Sequence, residues 1–237
     1  MRKSVEKMYA INKAKSRIKL LNIPLVIFAI LTVLLVFGSV FVCELNVYQR
    51  TTDEQGQTEV SIFIFDEYDE NYDYDDDANT KKITFANMAF GLPVSEKNQS
   101  FIPVEQDTRF LLLYIAQILG YLFVFIKFGK NEKQRFIFSI AGAILLVLVS
   151  GLTIWFFNSY AKEIEQICLQ AIESIRTTYP KLNITSINDT NYPSHVDVNM
   201  SVLAGVTVFF MLVSAGICVY NAFLNKTITN LEKSYEK

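Results

Sequence analysis

The chain has 237 residues, 51% of them apolar, and 22 basic against 24 acidic residues give it a net charge of −2. Together with a mean hydropathy of +0.25, this composition favours an integral membrane protein over a soluble domain. Binding of nucleic acid is excluded as an interpretation, because extended basic segments occur only beside the apolar runs.

The first segment, residues 1–21, is a basic leader with seven Lys or Arg residues and one Glu. Its apolar residues Met8, Ile11, Ile18 and Leu21 follow roughly one helical stripe. Two interpretations stay open for this leader. It either anchors the topology of the chain, or forms a cytoplasmic amphipathic helix on anionic lipid headgroups.

Four apolar runs are candidates to cross the hydrocarbon core of a bilayer, about 30 Å, at about 1.5 Å per helical residue. The second is the shortest, and the long side chains of Arg109 and Lys127 would have to reach the headgroups at its ends. Asn22 and Pro24 stand where the first span would be capped and begin. The third span is the clearest, because Arg135 precedes it and Trp155 marks an aromatic far end. The predicted spans are residues 22–43, 110–128, 136–157 and 200–224.

The connections between these spans differ in charge. Residues 1–21, 129–135 and 225–237 each carry a net positive charge, whereas 44–109 has fifteen acidic against five basic residues and 158–199 has five against three. The positive-inside rule therefore predicts that both termini and 129–135 are cytoplasmic. The two long loops are then outside the cell, and the protein is a multi-pass protein of the plasma membrane.

The first outer loop, residues 44–109, contains three candidate strands. Segments 47–51 and 59–65 are rich in β-branched and aromatic residues and flank a turn, and 82–90 is a third apolar segment that ends before a glycine. We expect a small antiparallel sheet, since three strands with one apolar face can persist in water.

Between the second and third candidate strands lies an acidic tract, residues 66–77. Its carboxylates could gather a calcium ion, but Tyr74 stands where an EF-hand loop needs Gly, and Thr80 where it needs Glu. No metal site is therefore predicted. The tract is interpreted as a solvated excursion, with weak cation accumulation or contact with a basic partner as the alternative.

In the second outer loop, residues 158–199, the helical pattern of the third span continues to about Thr178, just before Pro180. This extended helix carries one apolar stripe on a charged background. The stripe either packs on the sheet of the first outer loop or is an interface for a partner. Its members are Ile164, Ile167, Cys168, Ala171, Ile172 and Ile175.

Inside the charge-free core of the spans, Gln117 is the one strongly polar side chain at mid-depth. It is a candidate for an interhelical hydrogen bond or for lining a pore. Ala116 and Gly120 are small residues at helical spacing, which permits a neighbouring backbone to approach closely. The neighbouring backbone would belong either to another helix of this chain or to another subunit.

No pattern of catalytic or metal-ligating residues is found in the sequence. His195 is the single histidine and lies in an outer loop, and there is no phosphate-binding glycine loop or nucleophile elbow. Cys43, Cys168 and Cys218 are expected as free thiols, because Cys168 is about 16 Å beyond the end of the third span. No enzymatic activity, cofactor or bound metal is predicted.

The predicted fold is an all-α integral membrane protein. It has four transmembrane helices, a small extracytoplasmic β-sheet from the first loop and an extended outer helix after the third span. The expected function is non-enzymatic: an outer loop platform that binds a partner, as an accessory component of a membrane complex. The alternative is a subunit of an oligomeric channel or transport system. Besides the lipid bilayer, the expected partners are another membrane protein or a second copy, and not nucleic acid.

Overall fold

The structure is a computed structural model of the chain, and it describes residues 2–62, 80–91, 106–125 and 132–234. It is mostly helical (72%), and among the described residues four helices are long and apolar enough to cross a membrane. Four long apolar helices and a small sheet are therefore confirmed. The acidic tract 66–77 lies outside the described residues.

The described elements alternate long helices with short strands. Two short 3-10 turns, Leu35–Phe37 and Pro180–Leu182, follow the first and fourth helices. In chain order the elements are α1 (Arg2–Leu34), β1 (Ser39–Asn46), β2 (Tyr48–Thr52), β3 (Thr58–Ile62), β4 (Thr80–Thr84), α2 (Phe85–Phe90), α3 (Thr108–Phe125), α4 (Glu132–Thr178), β5 (His195–Met200) and α5 (Val202–Lys233).

The chain forms two compact units. The helical unit consists of Met1–Val36, Thr108–Trp155 and Gly205–Lys237, and the mixed unit consists of Phe37–Asp107 and Phe156–Ala204.

In the helical unit α1 is one continuous helix through Pro24, so the expected new helix start at Asn22 is wrong. The side chain of Asn22 instead accepts a hydrogen bond from Asn221 of α5.

Close helix contact occurs at Gly120 of α3, where a Cβ atom would come within 2.9 Å of Leu146 in α4. The missing side chain therefore permits α3 and α4 to approach closely within this chain.

In the mixed unit β1 is the central strand of an antiparallel sheet with the order β4-β1-β5. Phe41, Cys43 and Leu45 alternate along β1 and are all buried, as expected for one face of a strand. This corrects the first predicted span, because the helix ends at Leu34 and not at residue 43. An apolar run of this kind suits a buried strand as well as a helix, and its sequence period does not distinguish them.

The remaining strands differ in part from the expected sheet. Strands β2 and β3 pair as an antiparallel hairpin, close to the predicted segments 47–51 and 59–65. The third predicted strand, 82–90, is wrong in its second half, since α2 begins at Phe85. The N–H of Asn87 donates to Thr84 Oγ1 at 3.1 Å, and the N–H of Thr84 donates to Asn87 Oδ1 at 2.8 Å. This capping box starts a helix after β4.

Helix α4 is continuous to Thr178, as predicted for the outer extension of the third span. In the mixed unit its first turns bury aromatic side chains. The rings of Phe157 and Phe85 have centroids 6.1 Å apart, and those of Tyr160 and Phe41 are 6.1 Å apart. The extension of α4 thus packs on α2 and β1, which gives the sheet a hydrophobic cover.

Candidate functional site

One surface of the mixed unit surrounds Tyr48 on β2. The centroid of its ring lies 5.8 Å from that of Tyr192 and 6.5 Å from that of His195. Tyr192 is 44% exposed and His195 is also exposed. We call Tyr48, Tyr192 and His195 the aromatic patch. Side chains that combine an apolar body with a polar tip are common in binding surfaces.

An ion pair holds the loop that carries Tyr192. Arg50 on β2 and Asp189 approach to 2.6 Å between Nη2 and Oδ2, and Asp189 Oδ1 accepts the backbone N–H groups of Asn191 at 3.0 Å and Tyr192 at 3.1 Å. The hydrogen bonds from Tyr192 and Asn191, followed by the Arg50 charge, lower the pKa of Asp189. The aspartate therefore stays ionised and orders this loop near neutral pH.

Backbone hydrogen bonds add a second connection between β2 and the same loop. The N–H of Thr185 donates to the carbonyl oxygen of Tyr48 at 2.8 Å, and that of Arg50 donates to the carbonyl oxygen of Asn183 at 3.1 Å. The hydroxyl of Ser194 donates to the carbonyl oxygen of Thr185 at 3.0 Å. The aromatic patch is therefore supported by main-chain contacts as well as by the ion pair.

Three of the six residues of the predicted stripe on α4 are buried: Ile164, Cys168 and Ile172 are 3%, 1% and 1% exposed. Ala171 and Ile175 are half-buried, and Ile167 is 37% exposed. The buried positions recur every four residues and lie on the side of α4 that faces the core. Burial favours the packing interpretation for these positions, and a role as a partner interface stays a prediction.

All three cysteines are free, as expected, but Cys43 and Cys168 are not kept apart by the bilayer edge, where the predicted first span, 22–43, placed Cys43. Cys43 lies on β1, inside the core of the mixed unit, and not at the end of a spanning helix. Burial and, to a smaller extent, the charge of the neighbouring Cys168 raise the pKa of Cys43 to about 12. A thiol in this state is a weak nucleophile.

In the helical unit a polar cluster joins three helices. The hydroxyl of Tyr121 on α3 lies 3.1 Å from Thr32 Oγ1 on α1 and 3.3 Å from Ser214 Oγ on α5. Gln117, one turn earlier on α3, is buried at 4% exposure, and its role stays a prediction. Sequence reasoning missed the Tyr121 cluster, although each member is a hydroxyl residue within an apolar run.

The helical unit also contains a cavity of about 340 Å³ with a partly polar lining. Asn22, Arg135, Asn221 and Asn225 contribute polar side chains to it. The side-chain amide of Asn221 donates to Asn22 Oδ1 at 3.2 Å, while Asn221 Oδ1 is buried and has no hydrogen-bond partner within the described residues. Sequence reasoning missed this cavity, and the only signal was the three asparagines near the ends of apolar runs.

A second cavity, of about 590 Å³, shares Asn22, Arg135 and Asn225 with the first and adds Lys15 and Lys19. We call the two together the basic cavity. Their combination of basic, amide and apolar groups suits an anionic ligand with an apolar portion.

Comparison with protein-family models, with curated proteins and with solved structures gives no significant match.

Proposed function

We propose that this chain is a non-enzymatic multi-pass protein of the plasma membrane that binds another membrane protein outside the cell. The four apolar helices support a membrane location. The placement of both termini in the cytoplasm follows from the basic character of 1–21, 129–135 and 225–237. The segment between α1 and α3, which includes β1, and residues 158–199 then form the outer loops.

The binding role rests on the aromatic patch and on the ion pair between Arg50 and Asp189 that holds its loop in place. Tyr192 is exposed, yet its backbone N–H donates to Asp189, and Asp189 pairs with Arg50. An aromatic anchor that is already ordered loses less conformational entropy when a partner binds. This arrangement favours recognition of a partner by a preformed surface.

A photo-crosslinking amino acid at position 192 tests this proposal in native membranes. We expect a discrete adduct with one membrane protein, because the patch would lie in the contact. The matched control is the same amino acid at Gln170, an exposed position of the mixed unit on α4. Asp189→Ala, which removes the support of the loop, should weaken the adduct at 192. Equal adducts at 192 and 170, or none at 192, would contradict the binding role.

The alternative, a subunit of an oligomeric channel or transport system, is supported by the large apolar surface of the spans. In the most apolar part of α1 only 22% of the residues are buried within the protein, and in that of α4 33% are. Lipid or further subunits would cover the rest. The mass of the detergent-solubilised particle separates the two functions, since a ring of four or more copies favours a channel and a monomer favours the accessory role.

A further inference from the structure

The basic cavity lies at the ends of all four long apolar runs. Its lining includes Asn22 of α1, Phe125 of α3, Arg135 of α4 and Asn225 of α5, and in the sequence each of these residues stands within a few positions of the boundary between apolar and polar residues. In a protein whose spans match a bilayer, that boundary is the level of the lipid headgroups.

Asn221 supplies a polar group that needs a ligand. It is 6% exposed, its amide nitrogen donates to Asn22 at 3.2 Å, and its oxygen has no donor within the described residues. A buried amide oxygen without a donor is unfavourable. A hydroxyl group of a ligand in the cavity would supply the missing donor. If the amides of Asn221 and Asn22 were both turned over, their hydrogen bond would run in the opposite direction, and the NH₂ group of Asn221 would be the unsatisfied end, from which a phosphate oxygen could accept.

The charge around the cavity defines the second feature of the ligand. Arg135, Lys15 and Lys19 line it, and Lys15 pairs with Glu232 at 3.0 Å. Within the part of the chain that the structure describes, no acidic side chain pairs with Lys19 or Arg135, so both can receive an anion. Guanidinium groups in particular bind phosphate through two parallel hydrogen bonds. Basic pockets between spanning helices on the cytoplasmic side are typical sites for anionic lipid headgroups.

We infer that the basic cavity binds the headgroup of an anionic glycerophospholipid that carries both a phosphate diester and free hydroxyl groups. The phosphate lies near Arg135 and Lys19, and a headgroup hydroxyl donates to Asn221 Oδ1 once this side chain, which lines the cavity, turns towards the ligand. The volume of about 340 Å³ for the first of the two cavities is within the range of small-molecule sites. This inference rests on the membrane placement proposed above and is independent of partner binding at the aromatic patch.

Native mass spectrometry of the full, delipidated chain in detergent tests the inference, with phosphatidylglycerol as the probe. We expect one lipid to bind tightly, and Arg135→Gln to weaken it about tenfold, as for the loss of one charged hydrogen bond. Arg135 is exposed, so its replacement should leave the fold intact. The control is Lys13→Gln, which removes an exposed basic residue of α1 that does not line the cavity.

Two further arms identify the chemistry and the source of the ligand. Phosphatidic acid, which lacks the headgroup hydroxyls, should bind more weakly than phosphatidylglycerol, and Asn221→Leu should abolish this preference. Glycerol 3-phosphate should not compete, because the acyl chains contribute apolar contacts. Equal weakening by Arg135→Gln and Lys13→Gln would overturn the inference in favour of nonspecific charge attraction. Competition by glycerol 3-phosphate at the same concentrations would overturn the assignment to a lipid.

Discussion

Phe41 of β1 packs edge-on against Phe157 of α4, with ring centroids 5.6 Å apart and ring planes at 64°. Phe41 is fully buried and Phe157 is 3% exposed. Edge-to-face aromatic pairs contribute about 0.5–1.5 kcal/mol beyond the burial of their area. This pair connects the central strand of the sheet directly to the helix that covers it.

Replacement of Phe41 tests that connection. We expect Phe41→Ala to lower the free energy of unfolding by about 3–5 kcal/mol, because it leaves a cavity in a closed core. Phe37→Ala is the control, since Phe37 is 64% exposed and should change stability little. Thermal unfolding of both variants in the same detergent provides the comparison, and equal stabilities would show that β1 does not depend on α4.

The stripe on α4 allows the same substitution at a buried and an exposed isoleucine. Ile172→Asp removes an apolar contribution of about 1.5–3 kcal/mol and also buries an unpaired charge. We therefore expect strong loss of stability, whereas Ile167→Asp should have a small effect because Ile167 is 37% exposed. If Ile172→Asp folds normally but loses binding of a partner, the stripe is an interface and not a core.

The lowered pKa of Asp189 predicts a pH dependence of the aromatic patch. A carboxyl group whose pKa falls on folding stabilises the fold at pH values above its unfolded pKa of about 3.9, and this contribution is lost as the pH falls through the folded pKa. We expect wild type to be more stable than Asp189→Asn at pH 7, and the difference to disappear in strong acid. Thermal unfolding across pH measures this difference.

The comparison also has an internal control. Arg50→Gln removes the charge partner of Asp189 but not its backbone hydrogen bonds from Tyr192 and Asn191. It should therefore reproduce only part of the Asp189→Asn effect at neutral pH, because those hydrogen bonds are the main cause of the lowered pKa. A pH-independent difference between wild type and Asp189→Asn would contradict this account.

The raised pKa of Cys43 predicts slow alkylation. With a pKa of about 12, only about one molecule in ten thousand carries the thiolate at pH 8, and the thiolate is the nucleophile. N-ethylmaleimide should leave Cys43 unmodified in the folded protein and modify it rapidly in denaturant. Peptide mass spectrometry locates the label, and Cys43→Ser identifies its peptide. Rapid modification in the folded state would place this thiol at the surface.

The proposed topology predicts which residues an impermeant maleimide reaches in intact cells. We expect labelling of Gln55→Cys in the β2–β3 turn and none of Lys13→Cys in the leader, because the acidic loops are outside and the basic segments inside. Both positions are exposed on the protein, so accessibility within the fold does not differ. Lysed cells should label both. Labelling of Lys13→Cys in intact cells would reverse the topology.

Much of the helical architecture could be predicted from local sequence. The four apolar helices follow from runs long enough to span a bilayer, and the end of α4 at Thr178 follows from an apolar period that stops before Pro180. Strand β1 could not be predicted, since its residues continue the apolar run of the first span. The start of helix α2 could have been predicted from the capping pair Thr84 and Asn87. The apolar pattern of 82–90 instead favoured a strand over the whole segment.

The candidate sites were decided only by the tertiary structure. Arg50 and Asp189 are 139 residues apart, and Asn22 and Asn221 are 199 apart, so no spacing in the sequence relates them. Length, charge and hydrophobic period are properties of neighbouring residues, and they determined the helices and the expected orientation of the chain. An ion pair or a shared cavity instead depends on which elements pack together, because packing brings distant side chains to within a few ångströms.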